Sequence, residues 1–165
     1  DEKDIRDLIA EILKDEGFKV RVAGNSGDCL KEIEADPPAV LVLDIWLKDS
    51  EMDGIDILKA TKKNNPEIPI LIISGHGNIE IAVTGVEFMT SLPDEIRSDL
   101  KILKVRSTGA YVLEVDVEGR KVEVRWGLAT DNELKAKVYK ALLAQPENAK
   151  LKRMDLSAPH APIVK

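Results

Sequence analysis

Cysteine, histidine and aromatic side chains are scarce in this chain of 165 residues. The single cysteine, Cys29, excludes an internal disulfide and any cysteine-rich metal site. It fits a buried thiol on a helix. Only two histidines are present, His76 and His160, so His76 in the run Gly75-His76-Gly77 reads as a loop residue, not a metal ligand or catalytic base. Aromatic residues make up 4%, and Trp46, Trp126, Tyr111 and Phe88 are expected to pack in a core instead of forming a platform for bases. No apolar run approaches the roughly 18 residues that span a bilayer, and no basic-then-apolar leader precedes the first helix. Repeats and low-complexity tracts are also missing. The glycine loop lacks the spacing and the lysine of a nucleotide-binding P-loop.

What is present is a globular composition, with 44% hydrophobic residues and a net charge of -6. The charge argues against a nucleic-acid partner held by phosphate neutralisation. The chain is expected to be soluble, with no membrane segment of its own.

Ile5, Leu8, Ile9, Ile12 and Leu13 recur at helical spacing, with Asp4 near the start and Gly17 as the stop. Phe18 to Ala23 alternates as a short strand, and Asn25-Ser26-Gly27 leads into a second helix that ends at Pro37-Pro38. The run Ala39-Val40-Leu41-Val42-Leu43 predicts a buried strand closed by Asp44, and Ile55 to Thr61 predicts a helix. Ile68 to Ile73 predicts another buried strand, leading into Ser74 and a glycine-containing loop. Strands alternating with helices at short connections imply parallel βαβ units.

After Val83 the texture changes. Ile102, Leu103 and Val105 read as a strand preceded by a short helix near Pro93 and Asp94. Residues 111–117 and 121–126 alternate apolar and polar around Glu118-Gly119-Arg120, a hairpin with one wet face. Asn132 to Leu143 is helical, and a last strand is expected around Leu151 to Leu156.

Asp44 is the strongest candidate for chemistry. A carboxylate at the C-terminal end of a parallel strand is held on a rigid element where open α/β sheets place their sites. Its structural alternative is a strand-end cap. Ser74 offers a hydroxyl at the end of a second apolar run.

The residues Asp1-Glu2, Leu43-Asp44-Ile45-Trp46-Leu47, Met52-Asp53-Gly54 and Ile73-Ser74-Gly75-His76-Gly77-Asn78-Ile79-Glu80 resemble the receiver domain of NtrX-type response regulators over about residues 1–83. The resemblance implies a flavodoxin-like parallel sheet and Mg²⁺-assisted phosphoryl transfer from a sensor histidine kinase to Asp44. It implies that Asp1, Asp44 and the Trp46 carbonyl hold the metal and that Ser74 contacts the phosphoryl group. The family's first strand, its fifth strand and the lysine ending that strand have no counterpart in the motifs. Lys101 and Lys104 lie near the lysine's spacing but outside its sequence context, and carry no assigned role.

From Glu118 to Gly127, and from Met154-Asp155-Leu156-Ser157 to Pro162, the chain is similar to the C-terminal β-domain of FtsQ/DivIB cell-division proteins, over about residues 84–165. That resemblance implies a divisome partner paired by β-addition along an exposed edge at residues 151–157, involving Leu151, Met154 and Leu156. The two resemblances imply different compartments, cytoplasmic for the first and extracytoplasmic for the second. The expected fold is therefore a parallel α/β receiver fragment followed by an antiparallel β-meander with helices, α+β overall and merged into one unit. Such a chain reads as recombined or engineered. Its expected function is phosphoacceptance at Asp44 without conventional enzyme activity; the alternatives are a protein-binding module and a chain with no biological activity.

Overall fold

The computed structural model describes residues 2–45, 52–73 and 79–165. Its order is α1 (Glu2–Asp15), α2 (Ser26–Ala35), β1 (Leu41–Asp44), α3 (Gly54–Asn64), β2 (Ile70–Ile73), α4 (Ile79–Ser91) and α5 (Asp94–Asp99), followed by β3 (Leu100–Val105), β4 (Tyr111–Val117), β5 (Arg120–Gly127), α6 (Asn132–Leu143), β6 (Arg153–Asp155) and β7 (Ile163–Val164). The strands form one sheet in the order β1 to β7.

Local chemistry sets several of the boundaries. Gly17, at φ +91°, ends α1 in a Schellman arrangement. Its N–H donates to the Lys14 carbonyl at 2.9 Å, and the Phe18 N–H donates to Leu13 at 3.0 Å. Leu13 and Phe18 then share one apolar cluster. The Asn25 side chain caps α2 by accepting the Asp28 N–H at 2.9 Å. In the β4–β5 hairpin, Glu118 and Gly119 both adopt positive φ, 53° and 79°, the geometry of a twist-matched two-residue turn. Asp116 accepts the Gly119 N–H at 2.8 Å and secures it.

The sheet joins the parallel and antiparallel halves. β1, β2 and β3 are parallel, with Asp44 opposite Ile73 and Ile73 opposite Val105. β3 then pairs antiparallel with β4, and β4 with β5. A crossover through α6 makes β6 parallel to β5, and β7 closes antiparallel on β6. The expected merging of the two textures into one unit is what the structure shows. The 83/84 division expected from texture falls inside α4. There Gly85 lets the helix approach the sheet: a Cβ would stand 2.9 Å from a Leu71 methyl and 3.2 Å from Val105 Cγ2.

Two apolar layers cover the sheet. Leu71, Leu103, Val105, Leu113 and Val124 face a large cluster filled by Leu13, Phe88, Met89, Ile96 and Tyr139 from the helices. Ile70, Ile72 and Leu43 face a smaller cluster with Cys29, Ile33 and Ile57. The alternation of Ile70, Leu71 and Ile72 between clusters is the period-two pattern of a strand buried on both faces. Phe88 stacks on Tyr111, with ring centroids 4.0 Å apart, and meets Trp126 edge-on at 5.9 Å. These aromatics are core residues, as expected, but they form one group that ties α4 to β4 and β5.

Two expectations are corrected. Phe18 to Ala23 does not join the sheet, because its alternation defines a face without supplying a hydrogen-bonding neighbour; Phe18 and Val20 pack on the large cluster from an extended segment. The stretch 151–157 is not the outer edge of the sheet. β7 lies on it, pairing Met154 with Val164 and Asp155 with Ile163, and the Lys165 carbonyl accepts the N–H groups of Lys152 and Arg153, each at 3.0 Å. Leu151, Met154 and Leu156 point into the core.

Candidate functional site

Asp44 is the last residue of β1 and stands at the carboxyl end of the parallel strands, in a row with Ile73 and Val105. The ladder continues one step past it, with the Ile45 N–H donating to the Ile73 carbonyl at 3.2 Å. Asp44 is half-buried. This is the position at which doubly wound sheets expose chemistry while holding it on a rigid backbone.

Met52-Asp53-Gly54 explains how that position is fixed. Asp53 caps α3, its carboxylate accepting the Asp56 N–H at 2.8 Å. Gly54 then begins the helix directly against β1, donating its N–H to the Ile45 carbonyl at 3.3 Å. A Cβ at residue 54 would lie 2.0 Å from the Asp44 carbonyl oxygen and 2.9 Å from Ile45 Cα. Only glycine permits this approach. Met52 packs on the smaller apolar cluster beneath. The motif thus acts through the backbone, docking the start of α3 onto the strand end that carries Asp44.

Of the other expected site residues, Asp1, Trp46 and Ser74 lie outside the described residues, as does His76. Among the described residues, no group of three or more His, Cys, Asp or Glu side chains is gathered for a metal. Asp44 itself supplies the hard carboxylate oxygen that Mg²⁺ prefers, so the donor chemistry at this strand end fits that ion. Lys104 sits within β3 and pairs with Glu114 at 2.5 Å across the strands. Lys101 lies on the same strand and faces Lys62 electrostatically. Neither ends the strand. The residue that follows β3 is Arg106, one position beyond the row Asp44–Ile73–Val105. Its place was hidden in the sequence, because nothing local says that β3 runs parallel to β2.

Leu151, Met154 and Leu156 are 4%, 0% and 0% exposed, so they do not form a surface. Ile163 and Val164 on β7 are the exposed apolar residues at that end of the sheet. Among the described residues, no helix is long and apolar enough to cross a membrane.

Comparison with known proteins matches the segment that contains Asp44. Residues 1–91 match the family model of the response regulator receiver domain, which therefore extends to the end of α4. Over 87 residues, 53% of this chain, it is 54% identical to a putative NtrX-like response regulator of Rickettsia bellii, covering 18% of that protein. It is 47% identical over the same length to the nitrogen assimilation regulatory protein NtrX of Azorhizobium caulinodans, covering 19% of it. The chain thus spans under a fifth of these relatives. The crystal structure of the NtrX receiver domain from Brucella abortus aligns with a TM-score of 0.44 at 48% identity, covering 52% of this chain and 72% of that one. The family match stops at residue 91, and nothing in the comparisons supports the expected FtsQ/DivIB likeness of residues 84–165. With more than half of its length matched by the family model, the chain belongs to the response regulator receiver domain family.

Proposed function

We propose that this chain is the phosphoacceptor of an NtrX-type two-component signalling step, with Asp44 as the accepting residue. The observation that carries the reading is the placement of Asp44 at the carboxyl end of β1, with Gly54 seated against its carbonyl, inside the segment matched by the receiver family. A carboxylate oxygen of Asp44 attacks the phosphorus of a kinase phosphohistidine. The new O–P bond forms as the N–P bond breaks, and the imidazole nitrogen keeps the electron pair and takes up a proton.

The product is an acyl phosphate on a rigid strand end. Mg²⁺, when bound, neutralises charge on the phosphoryl oxygens. Asp44, Asp1 and the Trp46 carbonyl would hold it, and water would fill its other positions. Ser74 would donate its hydroxyl to the phosphoryl group. The chain acts as an acceptor and not as a conventional hydrolase or transferase.

The test is chemical trapping. After incubation with acetyl phosphate and Mg²⁺, borohydride reduction should convert the acyl phosphate at residue 44 to homoserine, found by peptide mass spectrometry. Homoserine at a different aspartate, or at none, contradicts the assignment.

A second reading, partner binding by strand addition, has one supporting observation: β7 ends the sheet and exposes Ile163 and Val164. In that reading the pairing edge is β7 and not residues 151–157. Ile163→Pro should then abolish capture of the partner with little change in acyl phosphate formation.

A further inference from the structure

We propose that the cleft between the β3–β4 turn and the end of β5 binds an oxyanion, the carboxylate or phosphate group of a small organic ligand, through Arg106 and Arg125. The cleft has a volume of about 290 Å³ and is lined by Arg106, Tyr111, Arg125, Gly127, Asp155 and Ser157, among others. It lies outside the segment matched by the receiver family, and of the residues placed near Asp44 it uses only Arg106, one position beyond the row Asp44–Ile73–Val105.

Both arginines are held by backbone while their guanidinium groups remain underused. The Arg106 N–H donates to the Ala110 carbonyl, and the Arg106 carbonyl accepts from Gly109, each at 2.9 Å; Gly109 closes this turn at φ +77°. The Arg106 guanidinium has no hydrogen bond or ion pair among the described residues. Arg125 follows the same pattern. Its nearest carboxylate, Glu123, is 3.8 Å from Arg125 Nε, beyond hydrogen-bond distance, and is engaged by Arg153 Nε at 3.0 Å. Two planar donor forks therefore border one hollow without protein acceptors to satisfy them, the arrangement that suits bidentate recognition of an oxyanion.

The opposite wall is built, too. β4 and β5 slip in register between Tyr111 and Val112, so that Gly127 faces Tyr111 while Arg125 faces Val112. Such bulges re-aim side chains. Gly127 adopts φ +77° and carries Ser157 against its α-carbon, where a Cβ would meet Ser157 Cβ at 2.9 Å. The one acid in the cleft, Asp155, is turned to an internal task. Its Oδ1 accepts both the Ser157 N–H, at 3.0 Å, and the Ser157 hydroxyl, at 2.6 Å. The two arginines outnumber it among the residues that line the cleft. The volume exceeds that of a bare oxyanion, so a ligand with a small organic body lying against the Val112 side of β4 is the fitting class.

The experiment uses the full chain, labelled with ¹⁵N, titrated separately with phenyl phosphate, benzoate and neutral benzyl alcohol. Saturable shifts at Ala110, Gly127 and Ser157 are expected with one or both anions and not with the alcohol. Response to phenyl phosphate alone would identify the ligand group as a phosphate ester, and response to benzoate alone as a carboxylate. Arg106→Gln and Arg125→Gln should each weaken binding about tenfold, while Arg125→Lys, which keeps the charge but loses the fork, should weaken it by less than Gln does. Both side chains are exposed, so dispersed spectra in the variants will establish that the fold is retained. No saturable shift with either anion, an equal response to the alcohol, or unchanged affinity in both glutamine variants overturns the proposal.

Discussion

Gly54 sits so close to Asp44 that a single added methyl group would fall 2.0 Å from the Asp44 carbonyl oxygen. The relationship is backbone to backbone, so no rotamer change relieves it. Gly54→Ala is expected to displace the start of α3 from β1 and to destabilise the chain by about 1–3 kcal/mol, the range for overpacking a filled site. Urea unfolding measures the loss. The same variant should form acyl phosphate more slowly, since the strand end bearing Asp44 moves with it. Wild-type stability in Gly54→Ala would refute the close approach.

Leu103 on β3 is fully buried and belongs to the large cluster, while its strand hydrogen-bonds to β2 on one side and β4 on the other. Leu103→Ala should cost about 2–5 kcal/mol through lost transfer energy and a residual cavity. Because one sheet unites the two halves, far-ultraviolet circular dichroism and the near-ultraviolet aromatic signal should shift together to a lower midpoint. Separate transitions for the two signals would contradict a single cooperative unit.

Lys62 predicts a pH dependence of stability. Burial, reinforced by the Lys101 ammonium and opposed by Glu67 and Glu114, lowers its pKa from 10.5 to about 8. The unfolded chain keeps this proton up to its ordinary pKa, whereas the folded chain releases it above about 8. Across that interval the unfolded state binds more protons, so stability should rise with pH. Below it, the burial cost of the charged form is fully present. Lys62→Met should flatten the rise between pH 8 and 10, as followed by urea midpoints. Tyr139, whose phenol burial pushes up, acts in the opposite direction only above its ordinary pKa near 10. An identical pH profile in wild type and Lys62→Met would contradict the assignment.

The sequence displayed faces more clearly than neighbours. The helical spacing of Ile9 and Leu13, the stop at Gly17, the apolar runs of β1 and β2 and the Glu118-Gly119 turn all depend on local chemistry, and each is found where the pattern placed it; β2 is buried throughout, but β1 is an edge strand in which only Leu43 is buried. Phe18 to Ala23 shows the limit, since alternation marks a strand-like face but membership of a sheet requires a partner from elsewhere. The pairing of β3 with β2 was likewise invisible residue by residue, although the merging of parallel and antiparallel textures was foreseen. For the site, Asp44 was legible because an acid ending an apolar run is a local signal. The steric role of Gly54 was not, because it depends on how α3 returns to β1. Arg106 and Arg125 escaped notice for the same reason: they are 19 residues apart in the chain and meet only through a turn and a slipped register.

The most direct test of the central claim is intact mass after incubation with acetyl phosphate and Mg²⁺, for this chain and for Asp44→Asn, with and without a chelator. A gain of one phosphoryl group by the wild type, lost in Asp44→Asn and lost on chelation, is the predicted result. No gain in a chain shown by circular dichroism to be folded, or an equal gain in Asp44→Asn, would contradict phosphoacceptance at the end of β1.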